Sequence, residues 1–326
     1  MSAPYWLRLL FLSLGSFFLV NALVGWAARL ATRAAIRIGE KLQPHSAARI
    51  LLALRFLGPA LGVAFVLGLC VPSYLRFEPH AESERMGLLC LALGVCGAAV
   101  WCSSLTRAGS SIVTSLRLTR LWNRKGQMSS MPGEESGAVV VEKNSPLLAL
   151  AGVFRPRLVV SRGLLLALSN EQLAVALQHE GAHRASRDNL KRLALLLAPD
   201  VLPFTRSFAL LEREWAEFSE WAADDDAVRG DSERAVLLAD ALVRVARMGT
   251  GPRLSYLHTS LLGSHRDLSA RVDRLLHVNS FPAATDSSSW LRAMGGGLCL
   301  AVCAVAVAVG PVALSAVHRM LEIFLR

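Results

Sequence analysis

Charged residues are distributed very unevenly along the chain. Four stretches contain no Asp, Glu, Lys or Arg, and they cover residues 9–28, 56–75, 86–106 and 293–317. Each is long enough to cross the hydrocarbon core of a bilayer, which is about 30 Å thick and needs roughly 20 apolar residues as a helix. The pattern therefore predicts four transmembrane helices, three before and one after a charged insert at 107–292.

This division gives a provisional domain map. It consists of a membrane region at 1–106, a basic juxtamembrane segment and linker at 107–137, a folded domain at 138–280, a second linker at 281–292, the fourth span at 293–317 and a short tail at 318–326.

Composition excludes several classes of protein. Hydrophobic residues make up 53% of the 326 residues and charged residues only 18%, whereas a soluble domain carries about 25% charged residues. An ordinary soluble globule, a disordered chain and a secreted disulfide scaffold are therefore excluded. All six cysteines fall inside the four uncharged stretches, so we expect them to pack as small apolar residues between helices.

The net charge of +10 is better explained by membrane topology than by nucleic-acid binding. Residues 29–55 carry six basic side chains against one acidic side chain, whereas the loop at 76–85 has a net charge of −1. Because basic loops stay on the cytoplasmic side, we expect 29–55 and the insert in the cytoplasm of a bacterial inner (plasma) membrane. No direct contact with nucleic acid is expected, and the lipid bilayer is the expected partner of the basic residues.

The insert shows the pattern of a small α+β domain. Short β-branched runs predict strands at 138–143 and 157–161, and the polar segment at 126–137 predicts a linker. One unbroken helix is predicted from about Glu171 to Pro199, with further helices at about 206–229, 232–248 and 266–276. The apolar but proline-broken segment 193–205 is expected to pack in the core, the alternative being that it touches the membrane surface.

Candidate chemistry lies in the middle of the first of these helices. The sequence His179-Glu180-Gly181-Ala182-His183 matches HExxH, which on a helix places two imidazoles on one face where both can bind Zn²⁺. Glu180 would act as the general base that takes a proton from the attacking water and passes it to the leaving amine. The alternative is a polar helix face with two unrelated histidines.

A catalytic zinc ion needs a third protein ligand, and an acid-rich helix follows the motif. Glu220 and Asp224 are four residues apart and are surrounded by Trp221, Ala222 and Ala223. We expect Glu220 to be the third ligand and Asp224 to accept the N–H of a ligand histidine. The alternative is a solvated acidic face.

Other residues near the motif have less defined roles. Asp188, one turn after the motif, is expected to support the metal centre from outside the ligand set, by orienting the helix or a neighbouring arginine. The segment from Gly152 to Ser161 would form an edge strand that holds a peptide substrate by β-augmentation. Gly181 reflects either neutral drift or close backbone packing beside the metal. For Arg271 we expect an ion pair with an acid rather than stabilisation of the oxyanion.

The runs GVFRPRLVVSRGLL, LSNEQLAVALQHEGAHRASRDNL and SEWAADDDAV resemble the cytoplasmic metallopeptidase domain of the BlaR/MecR-type antirepressor family. This resemblance implies a gluzincin-like fold, zinc bound by His179, His183 and Glu220, and Glu180 as the base. It also implies a protein or peptide substrate, in particular a transcriptional repressor. The expected fold class is an α-helical membrane protein with four transmembrane helices and a cytoplasmic α+β zinc metallopeptidase domain containing a small β-sheet.

The chain departs from that family at its end. BlaR/MecR sensors carry a penicillin-binding domain after the last span, where this sequence has only 318–326, so a separate sensor protein or a homodimer is the expected partner. The HtpX-type membrane metallopeptidases, which act in protein quality control, share HExxH and the later Glu. Three spans before the motif favour the BlaR/MecR type. A zinc-binding signalling scaffold without turnover is the alternative outside the enzymes.

Overall fold

The computed structural model describes residues 4–78, 87–131, 134–249, 259–260, 265–277, 314–316 and 319. Three long helical segments, Tyr5–Gly39, Pro44–Phe77 and Leu88–Lys125, are long and apolar enough to cross a membrane. They contain the first two predicted spans and residues 88–106 of the third. The fourth predicted span lies outside the described residues except for helical residues 314–316, where the Leu314 carbonyl accepts a hydrogen bond from Ser73 (2.9 Å).

Ten helices and five strands are described. The helices are α1 (Tyr5–Gly39), α2 (Pro44–Phe65), α3 (Val71–Phe77), α4 (Leu88–Lys125), α5 (Arg162–Ala167), α6 (Asn170–Ala185), α7 (Asp188–Leu197), α8 (Ala209–Val228), α9 (Ser232–Arg247) and α10 (His265–His277). The strands are β1 (Gly126–Met131), β2 (Glu134–Val141), β3 (Leu148–Ala151), β4 (Arg157–Ser161) and β5 (Thr259–Ser260). A π-helical turn at Val66–Cys70 joins α2 to α3, just before Pro72, which cannot donate a backbone hydrogen bond.

The helices α1 and α2 continue well beyond the uncharged stretches. The prediction that residues 29–55 form a loop is therefore wrong, because only residues 40–43 connect the two helices. Arg29, Arg33 and Arg37 are spaced four residues apart and lie on the exposed side of α1, while Ala28 and Thr32 are buried. Their spacing of four residues is that of one face of a helix and not of a loop.

The five strands form one mixed sheet in the order β1-β2-β4-β3-β5, in which β2 and β4 are parallel and the other neighbours are antiparallel. The end of α4 covers one face of the sheet, where Trp122 packs on Val139 and Val159. Helices α6, α9 and α10 cover the other face, where Leu148, Leu158 and Val160 are buried. This arrangement explains why the strands are apolar on both faces.

Two predictions about the strands are wrong. The segment 126–137 is not a linker, because β1 pairs with β2 as a hairpin, and its polar sequence reflects its exposure at the edge of the sheet. The segment from Gly152 to Ser161 does not supply an edge strand, because β4 lies between β2 and β3. Among the described strands, β1 and β5 form the edges.

The segment 193–205 packs in a core only in part. Leu193, Leu195 and Val201 are buried, whereas Leu202 and Phe204 are exposed. The core that Leu195 and Val201 join also contains residues of α1 and α2. Val201 and Leu195 share one apolar cluster with Ala28 and Leu51. The folded domain and the membrane helices therefore share part of their interior.

Candidate metal centre

Helix α6 carries the HExxH motif, and its start is well defined. The Ser169 hydroxyl accepts from the Gln172 backbone N–H, while the Gln172 side chain accepts from the Ser169 backbone N–H. This capping box satisfies two backbone donors that the helix itself leaves unpaired. From this start, His179 and His183 fall one turn apart on the same buried face. Their rings are perpendicular, with centroids 4.8 Å apart.

Helix α8 brings Glu220 to both imidazoles. Its Oε2 lies 3.5 Å from His179 Nε2 and its Oε1 lies 3.6 Å from His183 Nε2. One ligand atom from each of the three residues lies within 4.8 Å of the others, and all three residues are buried. The structure thus brings together the two histidines and the glutamate that the sequence singled out.

The chemistry of these side chains fits a zinc ion. Zinc bonds of about 2.0–2.2 Å in tetrahedral geometry place neighbouring ligand atoms about 3.3 Å apart, close to the separations of the Glu220 oxygens from the two Nε2 atoms. His179 Nε2 and His183 Nε2 are buried and have no hydrogen-bond partner among the described residues. Buried polar atoms normally have a partner, and a cation shared with Glu220 would supply one for both.

Asp224 and Asp188 each face the other nitrogen of one histidine. Asp224 Oδ1 lies 3.0 Å from His179 Nδ1, as expected from the sequence. Asp188 Oδ2 is hydrogen bonded to His183 Nδ1 at 2.7 Å. Asp188 therefore supports the metal centre through a ligand histidine and not through an arginine, and its second oxygen accepts from Lys191 Nζ (2.8 Å). Carboxylates in these positions fix the tautomer and orientation of ligand histidines.

Asp188 reaches His183 because the predicted single helix is broken in two. Five residues of a continuous helix turn by about 500° in total, so residue 188 would lie about 140° around the axis from residue 183. Arg187 instead has a left-handed backbone, with φ of 54°. This turn separates α6 from α7 and brings Asp188, the first residue of α7, back beside the imidazole.

Arg271 of α10 holds the acidic side chains of α8. Its Nε and Nη2 donate to the two oxygens of Asp224 at 2.8 and 2.6 Å, and its Nη1 lies 3.2 Å from Glu220 Oε2. The expected ion pair with an acid is confirmed. The other downstream residues considered for stabilising the oxyanion are His265, which begins the same helix, and Tyr256 and His258, which lie outside the described residues.

Carboxylates outnumber basic side chains around the two imidazoles. Burial by itself would lower the pKa of both histidines, but the neighbouring carboxylates outweigh it, so the pKa of His179 is raised and that of His183 is raised to about 10. Burial would raise the pKa of Glu220, yet His183, His179 and Arg271 hold it well below its ordinary value. A divalent cation would replace the protons that these imidazoles otherwise hold.

Glu180 is placed to act as a base. Both of its carboxylate oxygens are buried and have no hydrogen-bond partner among the described residues. Burial raises its pKa, although the two imidazoles oppose this rise. A carboxyl group whose pKa moves towards neutrality is a better match for proton transfer at physiological pH.

Sequence reasoning missed two basic residues at the site. Lys191 pairs with Asp188, and Arg192 Nη2 lies 3.7 Å from Glu220 Oε1. Both lie on α7, and their proximity depends on the turn at Arg187. The close backbone packing considered for Gly181 is wrong, because a Cβ there would meet nothing within 4 Å.

Comparison with known proteins agrees with this geometry. Residues 114–251 match the sequence profile of peptidase family M48, a range that includes the two histidines, Glu180 and Glu220. No curated protein matches the chain. The family match indicates a metallopeptidase domain, attached to helices that are long and apolar enough to cross a membrane.

Proposed function

We propose that the chain is a membrane-anchored zinc-dependent endopeptidase that cuts a protein substrate on the cytoplasmic side of a bacterial inner membrane. The observation that carries the proposal is the convergence of His179, His183 and Glu220, in which the buried Nε2 atoms of both histidines have no hydrogen-bond partner among the described residues. Glu180 lies on the same helix as the two histidines, and its buried carboxylate has no hydrogen-bond partner in the part of the chain that the structure describes. The M48 match over residues 114–251 supports peptide-bond hydrolysis.

The roles of the side chains follow from their positions. A bound zinc ion would act as a Lewis acid and make water acidic enough to supply hydroxide near neutral pH. His179, His183 and Glu220 would hold that ion, while Asp224 and Asp188 keep the imidazoles in the tautomer whose Nε2 faces it. Glu180 would accept the proton of the attacking water and donate it to the leaving amine.

The substrate and pathway are proposals from the resemblance to BlaR/MecR proteins. It favours a transcriptional repressor as substrate and makes this protein the protease of a signalling pathway, together with a separate sensor or a second copy. An HtpX-type quality-control protease has the same ligand set. Trapping with an inactive variant would separate the two, because a single captured repressor supports signalling and a mixture of unfolded membrane proteins supports quality control.

The central test replaces Glu180 by Gln in the full-length protein. Glu180→Gln should keep the zinc content of the parent and abolish cleavage of labelled casein, because the amide cannot accept the proton. Glu171→Gln is the matched control, since Glu171 lies exposed in the first turn of the same helix, and it should be fully active. Equal activity of Glu180→Gln and the parent would reject the catalytic role. A parent protein purified without zinc would reject the metal.

Orientation is tested separately. A reporter inserted at residues 40–43, the connection between α1 and α2, should be cytoplasmic because the flanking helices carry the basic residues. A reporter in 79–85 should lie on the opposite side. The reverse result would place the metal centre outside the cytoplasm.

A further inference from the structure

The connection between α7 and α8, residues 198–208, lies against the membrane helices rather than in the solvent. Asn21 donates a hydrogen bond to the Asp200 carbonyl (2.9 Å). A Cβ on Gly25 would lie 2.8 Å from a methyl of Val201. Asn21 and Gly25 both belong to the uncharged stretch at 9–28. This connection therefore reaches the depth at which the hydrocarbon core is expected to end.

The other two membrane helices indicate the same level. Arg55 directly precedes the uncharged stretch of α2, and Arg107 directly follows that of α4. The Asp200 carboxylate pairs with Arg107 and lies 3.9 Å from Arg55. Asp200 thus lies beside the two arginines that bound the uncharged stretches of α2 and α4. We take the level of these arginines as the boundary of the bilayer beside the peptidase domain.

At this boundary the connection exposes an aromatic ring. Phe204 is 82% exposed and Leu202 is 42% exposed. Phe204 also has a φ of 60°, a left-handed conformation that is uncommon for residues other than glycine. Two residues later Arg206 is exposed. Exposure of the Phe204 ring to water is unfavourable, whereas an aromatic ring near an arginine suits a lipid interface.

The loop between β3 and β4 presents a second tip of the same kind. Val153 packs in one cluster with Ala108 of α4 and Leu193 of α7, directly after the boundary residue Arg107. The next residue, Phe154, is 81% exposed. Arg155 and Arg157 are exposed as well. Two loops from different parts of the chain therefore place Phe and Arg side chains beside the same middle part of α4, at Arg107 and Ala108.

We propose that these two loops form a lipid-binding surface on the peptidase domain, which we call the Phe154–Phe204 surface. The two rings enter the boundary between headgroups and acyl chains, where aromatic side chains are favoured. Arg155, Arg157 and Arg206 contact the phosphates of anionic lipids, as basic residues do at the cytoplasmic face of membranes.

This surface would fix the height of the metal centre above the membrane. Helix α7 has ten residues, from Asp188 at the metal centre to Leu197 beside the boundary. At a rise of 1.5 Å per residue, it spans about 15 Å. The candidate active site would then face polypeptide close to the membrane surface, independently of which substrate it cuts.

The test uses photochemical cross-linking in the full-length protein. Phe154 or Phe204 is replaced by the photoreactive amino acid p-benzoyl-phenylalanine, and the protein is reconstituted in vesicles of phosphatidylethanolamine and phosphatidylglycerol. The matched control is the same replacement at Leu166, which is also 81% exposed but lies on α5, packed against β4 and α9. After irradiation, mass spectrometry of the digested protein identifies what each position has captured.

We expect phospholipid adducts at 154 and 204 and none above background at 166. Adducts should be more frequent in these vesicles than in vesicles of neutral phosphatidylcholine, because three arginines flank the rings. Absence of lipid adducts at 154 and 204, or cross-links at both positions into the protein's own chain, would overturn the proposal. Equal yields in both lipids would overturn the role of the arginines. The readout does not require peptide cleavage, so its failure is distinguishable from failure of the proposed function.

Discussion

Replacing Asp224 by Asn tests whether the carboxylate beside His179 supports metal binding. Asp224 lies 3.0 Å from His179 Nδ1 and accepts two hydrogen bonds from Arg271. The amide keeps the size of the side chain but removes its charge, so it holds the imidazole less firmly in the tautomer that binds metal. Loss of such an outer carboxylate costs about 10- to 100-fold in metal affinity, which corresponds to about 1.4–2.7 kcal/mol.

The neighbouring Asp225 provides a matched control. It too is buried, lies on the same helix and forms a bidentate pair with an arginine, Arg274, at 2.6 and 2.8 Å. The structure places no histidine of the metal centre against it. Both substitutions weaken an ion pair within the domain, but only Asp224→Asn removes a contact to His179.

The assay is competition for zinc between the full-length protein in detergent and a chromophoric chelator, with thermal unfolding recorded in parallel. Asp224→Asn should bind zinc at least tenfold more weakly, whereas Asp225→Asn should bind it as the parent does. If Asp224→Asn keeps the parent's affinity, the carboxylate does not orient His179. If both variants lose affinity equally, the cause is general destabilisation of α8.

Three further changes have expected outcomes. Gly181→Ala should stabilise the protein to thermal unfolding by up to about 1 kcal/mol, since the added methyl meets no described atom within 4 Å. A lower stability of the variant would show that the methyl group clashes with its surroundings. Zinc binding at neutral pH should release protons, because the pKa of His183 is about 10 and zinc needs the neutral ring. Affinity should therefore fall as the pH falls, and calorimetry in two buffers of different ionisation enthalpy should give different heats. Gly25→Ala should destabilise the protein by about 1–3 kcal/mol by crowding Val201, whereas Gly109→Ala, where nothing lies within 4 Å, should not.

The parts of the site that could be predicted from the sequence are those set within one helix. His179 and His183 share a face because they are four residues apart, and any helix places them together. Glu220 and Asp224 have the same spacing on α8, and the cost of burying two acids among apolar residues indicated that they face a partner. The three helices that are long and apolar enough to cross a membrane can be predicted from the absence of charge alone.

The rest depends on backbone geometry that residue type does not indicate. Nothing about an arginine favours a positive φ, so the turn at Arg187 could not be anticipated. Asp188 was expected near the site, but its pairing with His183 depends on that turn. The exposed strand β1 lacks the apolar alternation by which strands are recognised. The ion pairs of Asp200 with Arg55 and Arg107 join residues that are far apart in the chain. Taken alone, each arginine is typical of the end of a span and the aspartate is typical of a loop.

The boundary drawn from the charge pattern between a membrane region and a soluble insert is not a boundary in the packing. Leu211, Trp215 and Phe218 of α8 are buried in one cluster with residues of α1 and α2. Burying one such side chain contributes about 1.5–3 kcal/mol, so these three account for roughly 5–9 kcal/mol, comparable with the total stability of a typical domain. The same helix carries Glu220, and its Asp226 pairs with His45 at the start of α2 (3.1 Å). The membrane helices therefore act as part of the core that holds the metal centre together, and not only as an anchor.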